Sequence, residues 1–222
     1  MDLQIPIALF VLLISLVVHE SAHAYAALRL GDDTALRMGR LSLNPMVHLD
    51  PVGSLLVPAM GLLMGGFVIG WAKPVPVNTM RLRNPIRDHA LVAAAGPLSN
   101  LLLALISAVL LGLISGWAHG NPGGAGPVDG LAFLGLLFRW GITLNVLLAV
   151  FNLIPLPPLD GSWILLTFLR GEAAEFYMRL RPYGFLLILA LLFLGFRHVL
   201  WAVVDAVSGI YYQIVFGVAQ LI

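Results

Sequence analysis

Apolar residues in this chain come in long unbroken runs rather than in the short alternations of a soluble domain. A run of about 20 apolar residues is long enough to cross a bilayer as a helix. The first run covers roughly Leu3 to Leu28, the second Val52 to Trp71, the third His89 to Gly116 and the fourth Leu131 to Leu153. The stretch from Tyr183 to Ile222 has room for two more helices, with a break near Arg197-His198. Pro58 and a set of glycines interrupt the second run, so it is expected either to span, to re-enter or to lie in the interface. Irregular backbone at that depth has to be covered by protein or water. Between the first two runs, Thr34 to Leu43 alternates at Leu36/Met38 and again at Leu41/Leu43 around Gly39-Arg40, which predicts a small β-hairpin. The Gly116–Gly130 linker reads as a loop by composition.

These elements predict an all-α polytopic membrane protein with five to six transmembrane or re-entrant segments and a membrane-associated β-hairpin after the first helix. One membrane domain is expected over residues 1–222, with its motif-bearing core at about 10–169 and C-terminal helices at about 183–222. The first run lacks a basic leader and a small-residue cleavage site, so it is expected to stay in the protein.

Composition sharpens this reading. Of 222 residues, 60% are hydrophobic and 10% charged, whereas soluble domains carry about 25% charged residues. A net charge of +1 without any Lys/Arg run leaves no footprint for nucleic acid. Cysteine is absent, which excludes disulfides and thiolate zinc sites. Basic residues cluster after the first run (Arg29, Arg37, Arg40), before the third (Lys73, Arg81, Arg83, Arg87) and after the fourth (Arg170, Arg179, Arg181). By the positive-inside rule those three segments are cytoplasmic and the N-terminus is outside, which requires that Val52–Trp71 make no single net crossing.

The candidate chemistry starts at His19-Glu20-Ser21-Ala22-His23, near the C-terminal end of the first run. Ionisable groups in a membrane-length segment are costly and mark function by default. On a helix, positions i and i+4 project both imidazoles from one face. This is the H-E-x-x-H spacing, in which two histidines hold zinc and the glutamate is the general base. Catalytic zinc takes three protein ligands and keeps one position open. The candidate third ligand is Asp160, in Asn152-Leu153-Ile154-Pro155-Leu156-Pro157-Pro158-Leu159-Asp160-Gly161. The prolines end the fourth helix and turn the chain, and Gly161 permits close backbone approach. The Ala95-Gly96-Pro97-Leu98-Ser99-Asn100 stretch falls at the same expected depth.

Together these pieces resemble the site-2 protease family, the zinc intramembrane metalloproteases. The resemblance rests on His19-Glu20-x-x-His23, on Gly96-Pro97-x-x-Asn100 and on the Asn152–Gly161 element. Leu43–Gly53 and Gly70–Asn78 are similar to the short prokaryotic members, and neither a PDZ module nor a CBS pair is present in the chain. The resemblance implies that His19, His23 and Asp160 hold one zinc ion per chain and that a water takes the fourth position, with Glu20 as base. It implies transmembrane-helix substrates in a cell membrane, cut near the cytoplasmic side after local unwinding. The alternation at 34–43 separately predicts a strand edge that clamps them. Asn152 would hydrogen-bond the substrate backbone or the developing oxyanion. Asn100 would order the site, or else serve as ordinary interhelical glue. His48 is either a further group near the metal or a loop-stabilising residue. His89, His119 and His198 read as interfacial or loop residues. A metal carrier and a catalytically dead scaffold are the competing classes; one-sided clustering of the polar groups argues against the first, and an intact Glu20 against the second.

Overall fold

The computed structural model describes residues 3–50, 73–120 and 128–222. The expected Val52–Trp71 segment lies outside the described residues. Helix α1 spans Gln4–Arg29, α2 Thr34–Arg37, α3 Pro85–Gly120, α4 Val128–Asn152, α5 Asp160–Leu166, α6 Glu172–Arg179, α7 Gly184–Leu191 and α8 Arg197–Ala219. Four helical stretches among the described residues are long and apolar enough to cross a membrane: Gln4–Arg29, Pro85–Gly120, Gly130–Asn152 and Phe193–Ala219. The protein is therefore a multi-pass membrane protein, all-α among the described residues.

Helix α3 is the centre of the bundle and packs against α1, α4, α5 and α8. Its 36 residues reach about 54 Å at 1.5 Å per residue, well beyond a hydrocarbon core of about 30 Å. Lipid offers no hydrophobic drive between helices, so association depends on close packing, and small residues make that possible. Ala104, Ala108, Gly112 and Gly116 lie on α3 at four-residue intervals and are all buried. A Cβ on Gly112 would stand 2.7 Å from Val218 Cβ, and one on Gly116 2.8 Å from the Ala219 carbonyl. Around this stripe, Leu111 of α3, Ile142 and Val146 of α4, and Leu200 and Val204 of α8 complete the main core.

Two expectations are corrected. No strand occurs among the described residues, so the predicted β-hairpin, and with it the strand edge for clamping substrate, is replaced by a turn and the short helix α2. Local polar bonding wins over the alternation here. Gly31 turns the chain at φ +111°, and the fully buried Asp32 accepts from the Thr34 amide and hydroxyl at 3.0 and 2.5 Å. Asp32 also accepts from the Asn78 amide at 2.6 Å. Arg37 and Met38 amides then bond back to Asp33 and Thr34. Further on, Arg40 donates to the Val47 carbonyl. The second correction concerns Tyr183–Ile222, which holds two helices with a break just before Arg197, as expected, but only one that is long enough to span. Helix α7 has eight residues, about 12 Å, and Gly195 at φ +96° breaks the path into α8 two residues before Arg197.

Candidate metal centre

His19 and His23 sit on the face of α1 turned toward α3, both buried. Asp160 is the first residue of α5, delivered by the turn that follows α4. The loop holds this place because of Gly161. A Cβ there would lie 2.2 Å from the Leu153 carbonyl oxygen and 2.6 Å from that of Ile154, so only glycine lets α5 start against the end of α4. Across the loop, Tyr177 of α6 donates its hydroxyl to the Pro155 carbonyl at 3.0 Å. Trp163 on α5 is sandwiched between the His89 ring of α3 and the Arg181 guanidinium, each at 3.7 Å. His89 and Trp163 thus brace α5 on α3. Gly161→Ala is expected to displace Asp160, costing about 1–3 kcal/mol from overpacking and lowering metal affinity. A chelator-competition titration beside a thermal melt checks both effects.

The three side chains converge tightly. His19 Nε2 and His23 Nε2 are 3.0 Å apart, and they lie 3.2 and 3.4 Å from Asp160 Oδ2. Tetrahedral zinc with bonds of about 2.0–2.2 Å spaces its ligand atoms about 3.3–3.6 Å apart. The triangle matches that spacing within a few tenths of an ångström, so the donor set suits one metal ion.

Hydrogen bonding on the far side of each ring decides what the near side offers. His23 Nδ1–H donates to the Val92 carbonyl at 2.7 Å, and His19 Nδ1–H donates to Asn100 Oδ1 at 2.6 Å. With Nδ1 protonated in both rings, two Nε2 lone pairs face each other and the carboxylate. Asp160 Oδ2 is buried and has no hydrogen-bond partner. Such a cluster demands positive charge. Burial pushes the Asp160 carboxyl up, but the two imidazoles beside it, when protonated, outweigh this and hold it down to about 2. A metal ion meets the same demand without removing the lone pairs.

Gly96 of α3 forms the floor of the site. A Cβ on it would lie 2.4 Å from His23 Nε2 and 2.6 Å from His19 Cε1. The next residue, Pro97, is inside the helix and lacks an N–H to return to Ala93. Glu20 is partly buried, and its Oε2 accepts the Val75 amide at 3.1 Å. Of the other positions singled out from the sequence, Asn100 is fully buried and bonded to His19. Asn152 instead donates to the Leu148 carbonyl of its own helix at 2.9 Å. His48 is buried in the loop before residue 50 and donates from Nε2 to the Ser42 carbonyl at 2.7 Å. Neither belongs to the donor triangle.

Sequence reasoning missed Asn145. It is buried on α4, and its Oδ1 accepts from Asn100 Nδ2 at 2.8 Å. The available signal was an amide side chain inside an apolar span, seven positions before Asn152.

Membrane-length helices around a buried His-His-carboxylate set define a membrane-embedded metalloenzyme. A profile of peptidase family M50 matches residues 131–194. YwhC of Bacillus subtilis strain 168, a zinc metalloprotease by name, is 41% identical over 203 residues, covering 90% of this chain and 87% of its own. Rip2 of Mycolicibacterium smegmatis, named likewise, is 35% identical over 181 residues, 81% of this chain and 64% of its own length. Rip2 of Mycobacterium tuberculosis H37Rv is 31% identical over 179 residues, with 81% and 63% covered. No solved structure matches. The chain belongs to peptidase family M50, the zinc metalloproteases of site-2 type.

Proposed function

We propose that the protein is an intramembrane endopeptidase that cleaves transmembrane segments near the cytoplasmic face, with one zinc ion per chain and Glu20 as general base. The observation that carries this reading is the convergence of two imidazole lone pairs and a carboxylate inside a bundle of membrane-length helices. His19, His23 and Asp160 would hold the ion. Zinc bound there supplies Lewis acidity, polarising a peptide carbonyl and bringing the pKa of a water to about 7.

Glu20 directly follows a ligand in sequence. Val75 N–H engages one carboxylate oxygen, and the other can take a proton from the attacking water. Glu20 then returns that proton to the amine as the peptide C–N bond breaks. A helical substrate hides its amides in its own hydrogen bonds, so a segment must unwind before it reaches Glu20. Orientation follows from charge. The basic clusters at Arg29–Arg40, Lys73–Arg87 and Arg170–Arg181 flank the helix ends nearest the donor triangle, which supports a cytoplasmic placement of the site.

The test is a panel of single-span substrates in liposomes, incubated with the native chain, the chelator-stripped chain and the stripped chain after zinc return. Cuts within the cytoplasmic part of the span, lost on stripping and restored by zinc, are the expected result. Zinc-loaded, folded protein that cuts nothing in the panel would favour a scaffold.

A further inference from the structure

We infer that Asn145 is a positioning residue for the metal centre. Through Asn100 it holds His19 in the one tautomer that presents an Nε2 lone pair. This inference rests on the metal reading of the His19/His23/Asp160 cluster, and it assigns a role to a residue outside that cluster.

The argument begins at a backbone carbonyl, which can only accept. Asn145 Nδ2 lies 2.8 Å from the Gly141 carbonyl of its own helix, so its NH2 must point there and its Oδ1 away. Oδ1 stands 2.8 Å from Asn100 Nδ2, which turns the Asn100 NH2 toward α4. A second carbonyl, that of Ser15 on α1, accepts from the same Nδ2 at a longer 3.3 Å. Asn100 Oδ1 is thereby directed at His19 Nδ1, 2.6 Å away. An oxygen in that place requires a proton on Nδ1, and a neutral ring with Nδ1–H has its lone pair on Nε2. Each bond in the sequence from Gly141 to His19 thus fixes the direction of the next.

All three side chains are buried, with exposures of 2% for Asn145, 0% for Asn100 and 4% for His19. In so dry a setting a reversed amide would leave a donor facing a donor or two oxygens in opposition. His23 obtains the same tautomer more simply, from the Val92 carbonyl. His19 lacks a carbonyl of its own and depends on the two amides, with Asn145 as the shorter-bonded anchor.

The experiment reads tautomer and zinc affinity, so it is independent of cleavage. With histidine 15N-labelled in detergent, the zinc-free native chain should show His19 protonated at Nδ1. Asn145→Leu, which removes the acceptor, should populate the Nε2–H form and weaken zinc binding by about 10–100-fold, the usual effect of losing a partner behind a metal-bound histidine. Asn145→Asp, held protonated by its burial, keeps an O–H for the Gly141 carbonyl and an acceptor oxygen toward Asn100, and should restore the native tautomer and bring affinity within about threefold of native. Native His19 with a proton on Nε2 and none on Nδ1 would overturn the inference whatever the variants do. So would a folded Asn145→Leu with native tautomer and affinity, or an Asn145→Asp as impaired as Asn145→Leu, since the role would then be packing alone. A native chain that binds zinc with His19 in the expected tautomer yet cuts no substrate would count against the protease reading and leave this one standing.

Discussion

Glu20→Gln is expected to slow cleavage by about 10²–10⁴-fold, the usual contribution of a positioned acid–base group, with zinc content unchanged. Glutamine matches glutamate in size and keeps a carbonyl oxygen that can accept the Val75 amide, so the local fold should survive. It cannot take a proton at neutral pH, and the step assigned to Glu20 is lost. Single-turnover cleavage in liposomes, beside a zinc-per-chain measurement, separates the two effects. A variant that cleaves at the native rate would remove Glu20 from the mechanism. A variant that also loses its zinc would recast Glu20 as part of the metal's support.

Gly96→Ala should cost the metal itself. The added methyl would stand 2.4 Å from His23 Nε2 and 2.5 Å from its Cε1, with His19 Cε1 at 2.6 Å, against an ordinary carbon contact of about 3.5–4.0 Å. Neither side gives easily. The imidazoles are tied by Val92 and Asn100, and α3 is hemmed in by α1, α4, α5 and α8. The expected outcome is a folded protein, helical by circular dichroism, that binds zinc at least about 100-fold more weakly, a loss at or beyond the upper end of what removing a supporting hydrogen bond costs. Full zinc retention would mean that α3 can retreat from α1 by more than an ångström, and would overturn the account of Gly96 as the floor of the site.

Much of the spanning architecture can be read from the chain, because a bilayer forces long apolar runs that composition alone reveals. The first, third and fourth runs match α1, α3 and α4 to within a few residues. The hairpin was misread for a physical reason. Period-2 alternation over ten residues carries little weight against a buried carboxylate at Asp32 that organises both the turn before α2 and the Asn78 amide. At Tyr183–Ile222, the hydrophobic length and a break near Arg197 were legible, but not that α7 would stop at Leu191, too short to span. Within the site, His19, His23 and Asp160 stand out because ionisable groups are rare in such a chain. Asn145 did not, since its role appears only when α3 and α4 bring two amides together. Gly96 was visible as part of a motif, yet its task as floor depends on how closely α1 approaches.

The donor triangle also has a timetable. Its first two members leave the ribosome with α1, whereas Asp160 follows roughly 140 residues later. At about 5–20 residues per second, two histidines wait roughly 7–28 s for their carboxylate. Throughout that interval the nascent protein holds two of the three donors, and the set is complete only after α3 and α4 have been made and the loop bearing Asp160 has closed onto them. Chain order therefore delays a three-donor metal site until most of the bundle has been made.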